Sequence, residues 1–354
     1  MKAFRTGLVV GKFSPLHLGH ELLIRRAMEA CGETIIISYS LPELQGCEPW
    51  KREQWLRARF PQARVLVLDG ERHALPHNDA DALAQREFVG RLCVDVLGTT
   101  VDAVFTSEDY GDGFAAELTR YFARRACAEA KRDAGVRAFA VAQGCALAAV
   151  QHVCVDQARK AVPASGTLVR SDPHAHRAFL SPEVYSSFVQ TVCFLGGESS
   201  GKTTMAAAMA ARMETVWAAE YGRELWMEQG GRLAYADMAR IAETQQRRED
   251  SQRLQARRYL FCDTSALTTL FYSGEMFGRA EPALERMAQR RYDHVFLCAP
   301  DFDFVQDGTR REAEFRQRQH SWYLAELARR EISHVLLEGP LQRRIATVLQ
   351  CLRC

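Results

Sequence analysis

Two turns in this chain carry residue types and spacings suited to phosphate chemistry. One is Phe194-Leu-Gly-Gly-Glu-Ser-Ser-Gly-Lys-Thr-Thr204, which fits G-x-x-x-x-G-K-[ST]. Gly196, Gly197 and Gly201 let backbone N–H groups turn inward around phosphate oxygens with no Cβ in the way, and Glu198, Ser199, Ser200 and Thr204 complete the loop. The helix that follows adds its unsatisfied N-terminal donors. Lys202 is spaced to reach the β- and γ-phosphates of ATP, and the Thr203 hydroxyl to coordinate Mg²⁺. Downstream, the apolar run Tyr259-Leu-Phe-Cys-Asp263 ends in an acid, the expected metal partner of such a loop. Beyond it, Asp307-Gly-Thr-Arg-Arg311 precedes a helix, and Arg310 and Arg311 read as lid arginines that close on a transferring phosphoryl group. A solvated turn is the plainer alternative.

The other turn is Gly11-Lys-Phe-Ser-Pro-Leu-His-Leu-Gly-His20. It sets His17 and His20 at the passage from a strand into a helix, where two imidazoles and the helix N-terminus donate hydrogen bonds to phosphate oxygens. Gly19 permits close backbone approach. A third turn, Ala164-Ser-Gly-Thr-Leu-Val-Arg170, delivers Ser165, Thr167 and Arg170 to one place at a helix start. Taken alone, Ser165 there is an ordinary N-cap.

The elements that must hold these turns alternate in type. Apolar runs at Thr6–Val10, Thr34–Ser40, Arg64–Leu68 and Val101–Phe105 read as strands, separated by helical patterns from Glu21, over Lys51–Arg59 and over Ala82–Leu97. The polar Thr106–Gly111 follows the last of these strands, at the edge where open α/β sheets bind ligands. In the second half, strands are expected at Thr191–Leu195, Thr215–Glu220, Tyr259–Asp263, His294–Cys298 and Val335–Glu338, and helices at Met205–Met213 and Asp237–Arg258. The pattern predicts an α/β fold with two parallel-sheet domains. The polar, proline-bearing Ser171–Pro182 sets their boundary, giving residues 1–189 and 190–354. Residues 127–151 are alanine-rich and suggest no site.

Composition excludes more than it selects. Of 354 residues, 47% are hydrophobic and 25% charged, as in ordinary globular chains, and 46 basic against 44 acidic residues leave a formal net charge of +2. No global field argues for nucleic acid or a membrane surface. Eleven cysteines, an odd number scattered through apolar runs, read as reduced thiols packed as small hydrophobes, and the expected compartment is the cytoplasm. Cys351-Leu-Arg-Cys354 lacks the second ligand pair of a zinc site.

With these residues in place, the H-x-G-H turn and Ser165–Arg170 resemble the two signatures of the nucleotidyltransferase superfamily. The whole chain resembles the bifunctional NadR-type enzymes, which join nicotinamide-nucleotide adenylyltransferase to ribosylnicotinamide kinase. The matching stretches are Gly11–His20, Ser165–Arg170, Leu195-Gly-Gly-Glu-Ser-Ser-Gly-Lys202, Glu220-Tyr-Gly-Arg-Glu224 and Asp263-Thr264. The resemblance implies an N-terminal Rossmann-like nucleotidyltransferase fold and a C-terminal P-loop kinase fold. The C-terminal domain would use ATP to phosphorylate nicotinamide riboside, with Asp263 as the Mg²⁺-linked acid and base and Glu220, Tyr221 and Arg223 holding the riboside. The N-terminal domain would transfer an adenylyl group from a second ATP to the mononucleotide, giving NAD and pyrophosphate. There Gly11, Lys12, Phe13, His17, Gly19, His20, Ser165, Thr167 and Arg170 would bind and activate ATP with Mg²⁺. Trp55 is either a ring stacked on nicotinamide or a core residue. A membrane riboside transporter is a partner by resemblance alone, and a homo-oligomer is left open.

The chain departs from the family pattern at three positions. Ser265 stands where the family has a second acid after Asp-Thr, Ala164 where Ile is usual, and Leu168 where a basic residue is expected. These departures bear on kinase strength and on the adenylyl transfer respectively. The chain opens directly on the first strand, so no helix-turn-helix DNA-binding domain is expected in it. Two alternatives stay open: a regulator that senses ATP and NAD with little turnover, and a kinase joined to a transferase of other specificity.

Overall fold

A computed structural model describes residues 1–70, 72–132, 148–301 and 313–352. It divides into two compact units, Met1–Ser187 and Phe188–Cys354. Arg310 and Arg311 lie outside the described residues.

The first unit is built on a five-stranded, all-parallel sheet in the order β3-β2-β1-β4-β5. Its strands are β1 (Phe4–Gly11), β2 (Cys31–Ser38), β3 (Arg64–Val67), β4 (Ala103–Thr106) and β5 (Gln151–Cys154). Helices cover both faces, so the central strands are apolar in continuous runs rather than in alternation. Leu8 and Val9 pair with Ile35 and Ile36, and all four are fully buried. Gly7 is required by packing: a Cβ there would fall 2.4 Å from Cys31 Sγ. Because β1 pairs with β2 on one side and β4 on the other, the winding reverses at β1. That reversal opens a crevice at the C-terminal ends of β1 and β4, the place where such sheets bind ligands.

Two sequence expectations shift here. The helix predicted through Leu97 is α-helical only over Ala82–Arg91 and widens into a π turn at Leu92–Val96. The edge strand β5, four residues with a partly exposed pattern, fell in a stretch with no readable periodicity.

The second unit is also a parallel five-stranded sheet, ordered β10-β9-β6-β8-β7. Here β6 is Gln190–Gly196, β7 Trp217–Ala218, β8 Tyr259–Asp263, β9 His294–Cys298 and β10 Val335–Leu337. The strand expected over Thr215–Glu220 is only two residues long, because Glu220 already caps the helix Tyr221–Glu228. Phe194 of β6 lies between Phe261 of β8 and Phe296 of β9, with ring centroids 6.1 and 5.7 Å away. The C-terminal helix Leu341–Leu352 buries Arg344, Val348 and Leu352, one face at i, i+4, i+8. Phe194 is fully buried at the centre of this sheet. Phe194→Ala should therefore destabilise the second unit by about 3–5 kcal/mol and Phe194→Leu by less than about 1.5 kcal/mol. Urea denaturation followed by circular dichroism measures both, and equal losses would contradict this packing.

Candidate nucleotide sites

In the second unit the loop after β6 is shaped by backbone crowding. Gly196 has φ +145°, and a Cβ there would sit 2.5 Å from Ser200 Oγ and 2.7 Å from the Cys298 carbonyl oxygen. Gly201, at φ +87°, caps the helix Lys202–Arg212. The buried Lys202 donates from Nζ to the Gly197 carbonyl at 3.0 Å, which curls the loop around its own ammonium group. Ser200 Oγ donates to the same carbonyl at 2.7 Å. The Glu198 N–H donates to Gln319 Oε1 at 2.9 Å, and Tyr272 OH donates to Glu198 Oε1 at 2.6 Å.

Thr203 and Asp263, distant in sequence, meet because β6 and β8 are neighbours. The Thr203 hydroxyl donates to Asp263 Oδ2 at 2.6 Å. Asp263 Oδ1 is buried with no hydrogen-bond partner among the described residues. An orphaned carboxylate oxygen beside a threonine hydroxyl at a P-loop fits the protein share of a Mg²⁺ site, the remaining ligands being phosphate and water. Burial pushes the Asp263 carboxyl above the usual range, opposed by Lys202. Glu220 is raised likewise, by burial and by Asp263, with Lys202 opposing.

A cavity of about 380 Å³ opens from these groups. Lys202, Glu220, Arg223 and Tyr272 line its polar end, while Trp226, Leu233, Met238, Ile241 and Met276 line the rest. Tyr221 is not on the lining; its ring lies 5.4 Å under the Arg248 guanidinium. Its backbone N–H donates to Gln245 Oε1 at 2.9 Å, and Gln245 does face the cavity. Gln245 is in turn oriented by Glu249, which accepts its Nε2 at 3.4 Å and the Tyr292 hydroxyl at 3.0 Å. Burial pushes Glu249 up to about 7, although Arg290 lies 3.2 Å away.

In the first unit β1 ends at Gly11, and the Lys12 carbonyl is fixed by three donors: Ser14 Oγ and Ser38 Oγ at 3.1 Å and Arg52 Nη1 at 3.3 Å. His17 caps the helix Leu18–Ala30. His17 and His20 exchange reciprocal backbone-to-Nδ1 contacts at 3.4 and 3.5 Å, and their rings stack at 3.7 Å. With Nδ1 accepting, each neutral ring carries its hydrogen on Nε2. Burial, with Arg159 and Arg170 nearby, holds His17 down at about 4. Burial and then His17 hold His20 well below the usual range. Both rings are therefore neutral donors near pH 7. A Cβ on Gly19 would lie 3.1 Å from the His17 ring, and Phe13, at φ +47°, meets His20 edge-on at 5.1 Å.

The third turn joins this site. Ser165 Oγ caps the helix Gly166–Ser171 by accepting the Leu168 N–H at 3.1 Å. Arg170 donates to the Ser14 carbonyl and, at 3.2 Å, to Thr167 Oγ1. Leu168, where a basic residue was expected, is exposed, and Ala164 is buried. Trp55 is not brought to an open site: it is 1% exposed, and its Nε1 donates to Ser187 Oγ at 3.1 Å. Its ring faces are covered by protein, the core placement of the two considered.

Ser265 takes a structural part. It caps the helix Ala266–Phe277, accepting the Leu267 N–H at 3.2 Å, and leaves Asp263 as the acid at this strand end. Thr264 before it holds φ +81°, a strained backbone for a β-branched residue, and its N–H donates to the Phe194 carbonyl at 3.1 Å.

Sequence reasoning missed Arg344. Although 2% exposed, its guanidinium donates to the carbonyls of Ser200 (2.8 Å), Ala299 (2.9 Å) and Gly339 (2.9 Å) and pairs with Asp301. It thus ties the phosphate loop to the strand ends of β9 and β10. Nothing distinguishes it in sequence from the solvated arginines around it.

The comparisons with known proteins fall on the same two regions. The AAA domain family model matches residues 191–344. The trifunctional NAD biosynthesis/regulator protein NadR of Escherichia coli (strain K12) is 28% identical over 326 residues, covering 86% of this chain and 71% of its own. A NadR crystal structure in complex with NAD and AMP-PNP superposes with a TM-score of 0.66 at 21% identity, over 98% of this chain and 95% of that one. A second NadR structure, in complex with NR, gives 0.65 at 20% identity over the same shares. Among the described residues no helix is long and apolar enough to cross a membrane.

Two outcomes follow from this geometry. Arg344→Ala removes the ionic partner of Asp301, which keeps the Gly339 N–H, and the shared donor of three carbonyls, so it should cost about 2–4 kcal/mol in the second unit. Arg344→Lys, which cannot reach all four acceptors, should recover only part of the loss on thermal melting. For Glu249, the folded pKa lies above the unfolded one. Its contribution to stability is complete below the unfolded value of 4.5 and is lost as pH rises through about 7. Glu249→Gln should flatten the pH dependence of the denaturation midpoint across that window; an unchanged slope would show that Glu249 is ionised throughout it.

Proposed function

We propose that this chain, NadR-type by its sequence matches and whole-chain fold, is a two-site enzyme of NAD biosynthesis. In this reading the second unit phosphorylates nicotinamide riboside and the first adenylylates the resulting mononucleotide. The observation that carries it is Thr203 bonded to Asp263 at 2.6 Å, next in the chain to Lys202 and Thr264, which line a cavity together with Glu220 and Arg223. The names of the solved relatives support the ligands, since one holds NR and the other NAD with AMP-PNP.

In the kinase step the riboside 5′-hydroxyl oxygen bonds to the γ-phosphorus of ATP, the bond from that phosphorus to the β–γ bridging oxygen breaks, and ADP leaves. Lys202 and the loop N–H groups hold the phosphates in line, and the hydroxyl proton passes to the Asp263–Glu220 carboxylate pair. Burial raises the Glu220 carboxyl, and with Mg²⁺ on Asp263 lowering that carboxyl again, Glu220 would be the more basic of the two. Thr203 and Asp263 would hold Mg²⁺, which when bound neutralises phosphate charge. In the first unit a phosphate oxygen of the mononucleotide bonds to the α-phosphorus of a second ATP, and pyrophosphate leaves. His17 and His20 serve as neutral Nε2–H donors, with Lys12 and Arg170 supplying charge. Positioning and electrostatic stabilisation suffice for this step, with no covalent intermediate.

The direct test is product analysis with nicotinamide riboside, ATP and Mg²⁺. Mononucleotide should appear first and NAD second. Lys202→Ala should lower phosphorylation by about 100-fold or more while leaving adenylyl transfer from added mononucleotide intact, and His20→Ala should do the reverse. Mononucleotide without NAD would remove the adenylyltransferase half of the proposal. Neither product, together with tight NAD binding, would replace both halves with a nucleotide-sensing regulator.

A further inference from the structure

The loop after β5 has no part in the reading above, yet it reaches the histidine turn. β5 stays paired with β4 to its end, where the Val155 N–H donates to the Thr106 carbonyl at 2.8 Å. The next residue, Asp156, folds the chain back on itself. Its carboxylate accepts the backbone N–H groups of Lys160 (2.8 Å), Ala161 (3.1 Å) and Val162 (3.2 Å), and its own carbonyl accepts the Arg159 N–H at 2.8 Å. Three successive donors converging on one anion make a backbone nest, filled here by the chain's own side chain.

Asp156 and Arg159 both sit in the left-handed region, at φ +50° and +51°. Neither is glycine, so this shape persists only where the surroundings over-determine it. The loop is therefore held in one conformation. It also leads straight to the H-x-G-H turn: a Cβ on Gly19 would lie 3.9 Å from Val162 Cγ1. Ala164, two residues on, begins the turn that delivers Arg170.

At the apex of this pinned loop stands Arg159. Its side chain is 48% exposed, and its guanidinium makes no hydrogen bond among the described residues. Its one ionic neighbour there is Glu108, at a loose 3.9 Å, in the loop after β4. An arginine on a braced loop, its guanidinium unbonded among the described residues and at the same sheet edge as His17, His20 and Arg170, can turn its five donors to phosphate oxygens. The loop meets the histidine turn through Val162, and the charge of Arg159 is among the causes that hold both histidines down.

We propose that Arg159 is a phosphate-binding residue of the first unit's site, holding the polyphosphate of the bound nucleotide opposite the histidine pair. Asp156 acts through it, as a positioning residue that fixes the loop. This rests on the histidine turn being a nucleotide site. It adds a contact that neither signature stretch contains, because Arg159 lies outside both.

Isothermal titration of the full-length Lys202→Ala chain with inorganic pyrophosphate tests it, the P-loop lysine having been removed. A His20→Ala control identifies the heat belonging to the histidine turn. Arg159→Ala should weaken that binding by about tenfold or more, with Arg159→Lys recovering part of the loss. Asp156→Ala gives a sign test. Removing an acid would tighten anion binding through bulk electrostatics alone, whereas releasing the loop should weaken it. Melting temperatures equal to the parent's exclude unfolding, and both residues are surface ones. Pyrophosphate binding within twofold of the parent in Arg159→Ala would overturn the assignment while leaving the histidine site standing. Tighter binding in Asp156→Ala would overturn the role given to the pinned loop. Absence of any pyrophosphate heat from the histidine turn would remove the site reading and this inference together.

Discussion

A buried parallel strand that must release its chain toward a ligand has no room for side chains at its last residue, and much of this molecule follows from that. At Gly196 the backbone passes so close to Ser200 and the Cys298 carbonyl that a single added carbon would fall inside contact distance. The tight exit turns the following N–H groups inward and lets Lys202 close on the Gly197 carbonyl. It also brings Thr203 within reach of Asp263 on the neighbouring strand. Arg344 holds the far side of the loop by its own carbonyls. Remove the crowding and the donors would no longer converge.

The two sites prepare charge in opposite ways. In the second unit, burial raises the carboxyls of Asp263 and Glu220, while the ammonium group of Lys202 partly compensates. In the first unit, burial and neighbouring arginines hold the histidines neutral, beside the cationic Arg170. Each arrangement is set less by the motif residues themselves than by what the sheet and its loops pack around them.

The strand-to-helix turns that hold Gly196, Gly201, Lys202, Thr203, His17, Gly19 and His20 were legible because their pattern is local. A phosphate turn needs small residues and donors at fixed spacing, and spacing survives in one dimension. The alternation of apolar runs with helical patterns announced two parallel sheets for the same reason. Local pattern was silent on Arg344, which differs from exposed arginines only in what surrounds it. It was silent too on β5, whose four half-exposed residues have no periodicity and form a strand only because β4 offers an edge. Trp55 had two placements in sequence, and only packing put it in the core, with its indole nitrogen on Ser187.

By itself, then, the amino-acid sequence determined the two glycine-bearing turns, the helices they open and the class of sheet behind them, since each depends on neighbours a few residues apart. The tertiary structure alone decided which distant groups complete each turn. Strand order brought Asp263 to Thr203, and the β5 loop brought Arg159 toward the histidines. Helix packing put Arg344 beneath the phosphate loop and Gln245 on the cavity wall. Those pairings join residues tens of positions apart or more, and burial and direction, which govern them, are properties of the folded chain.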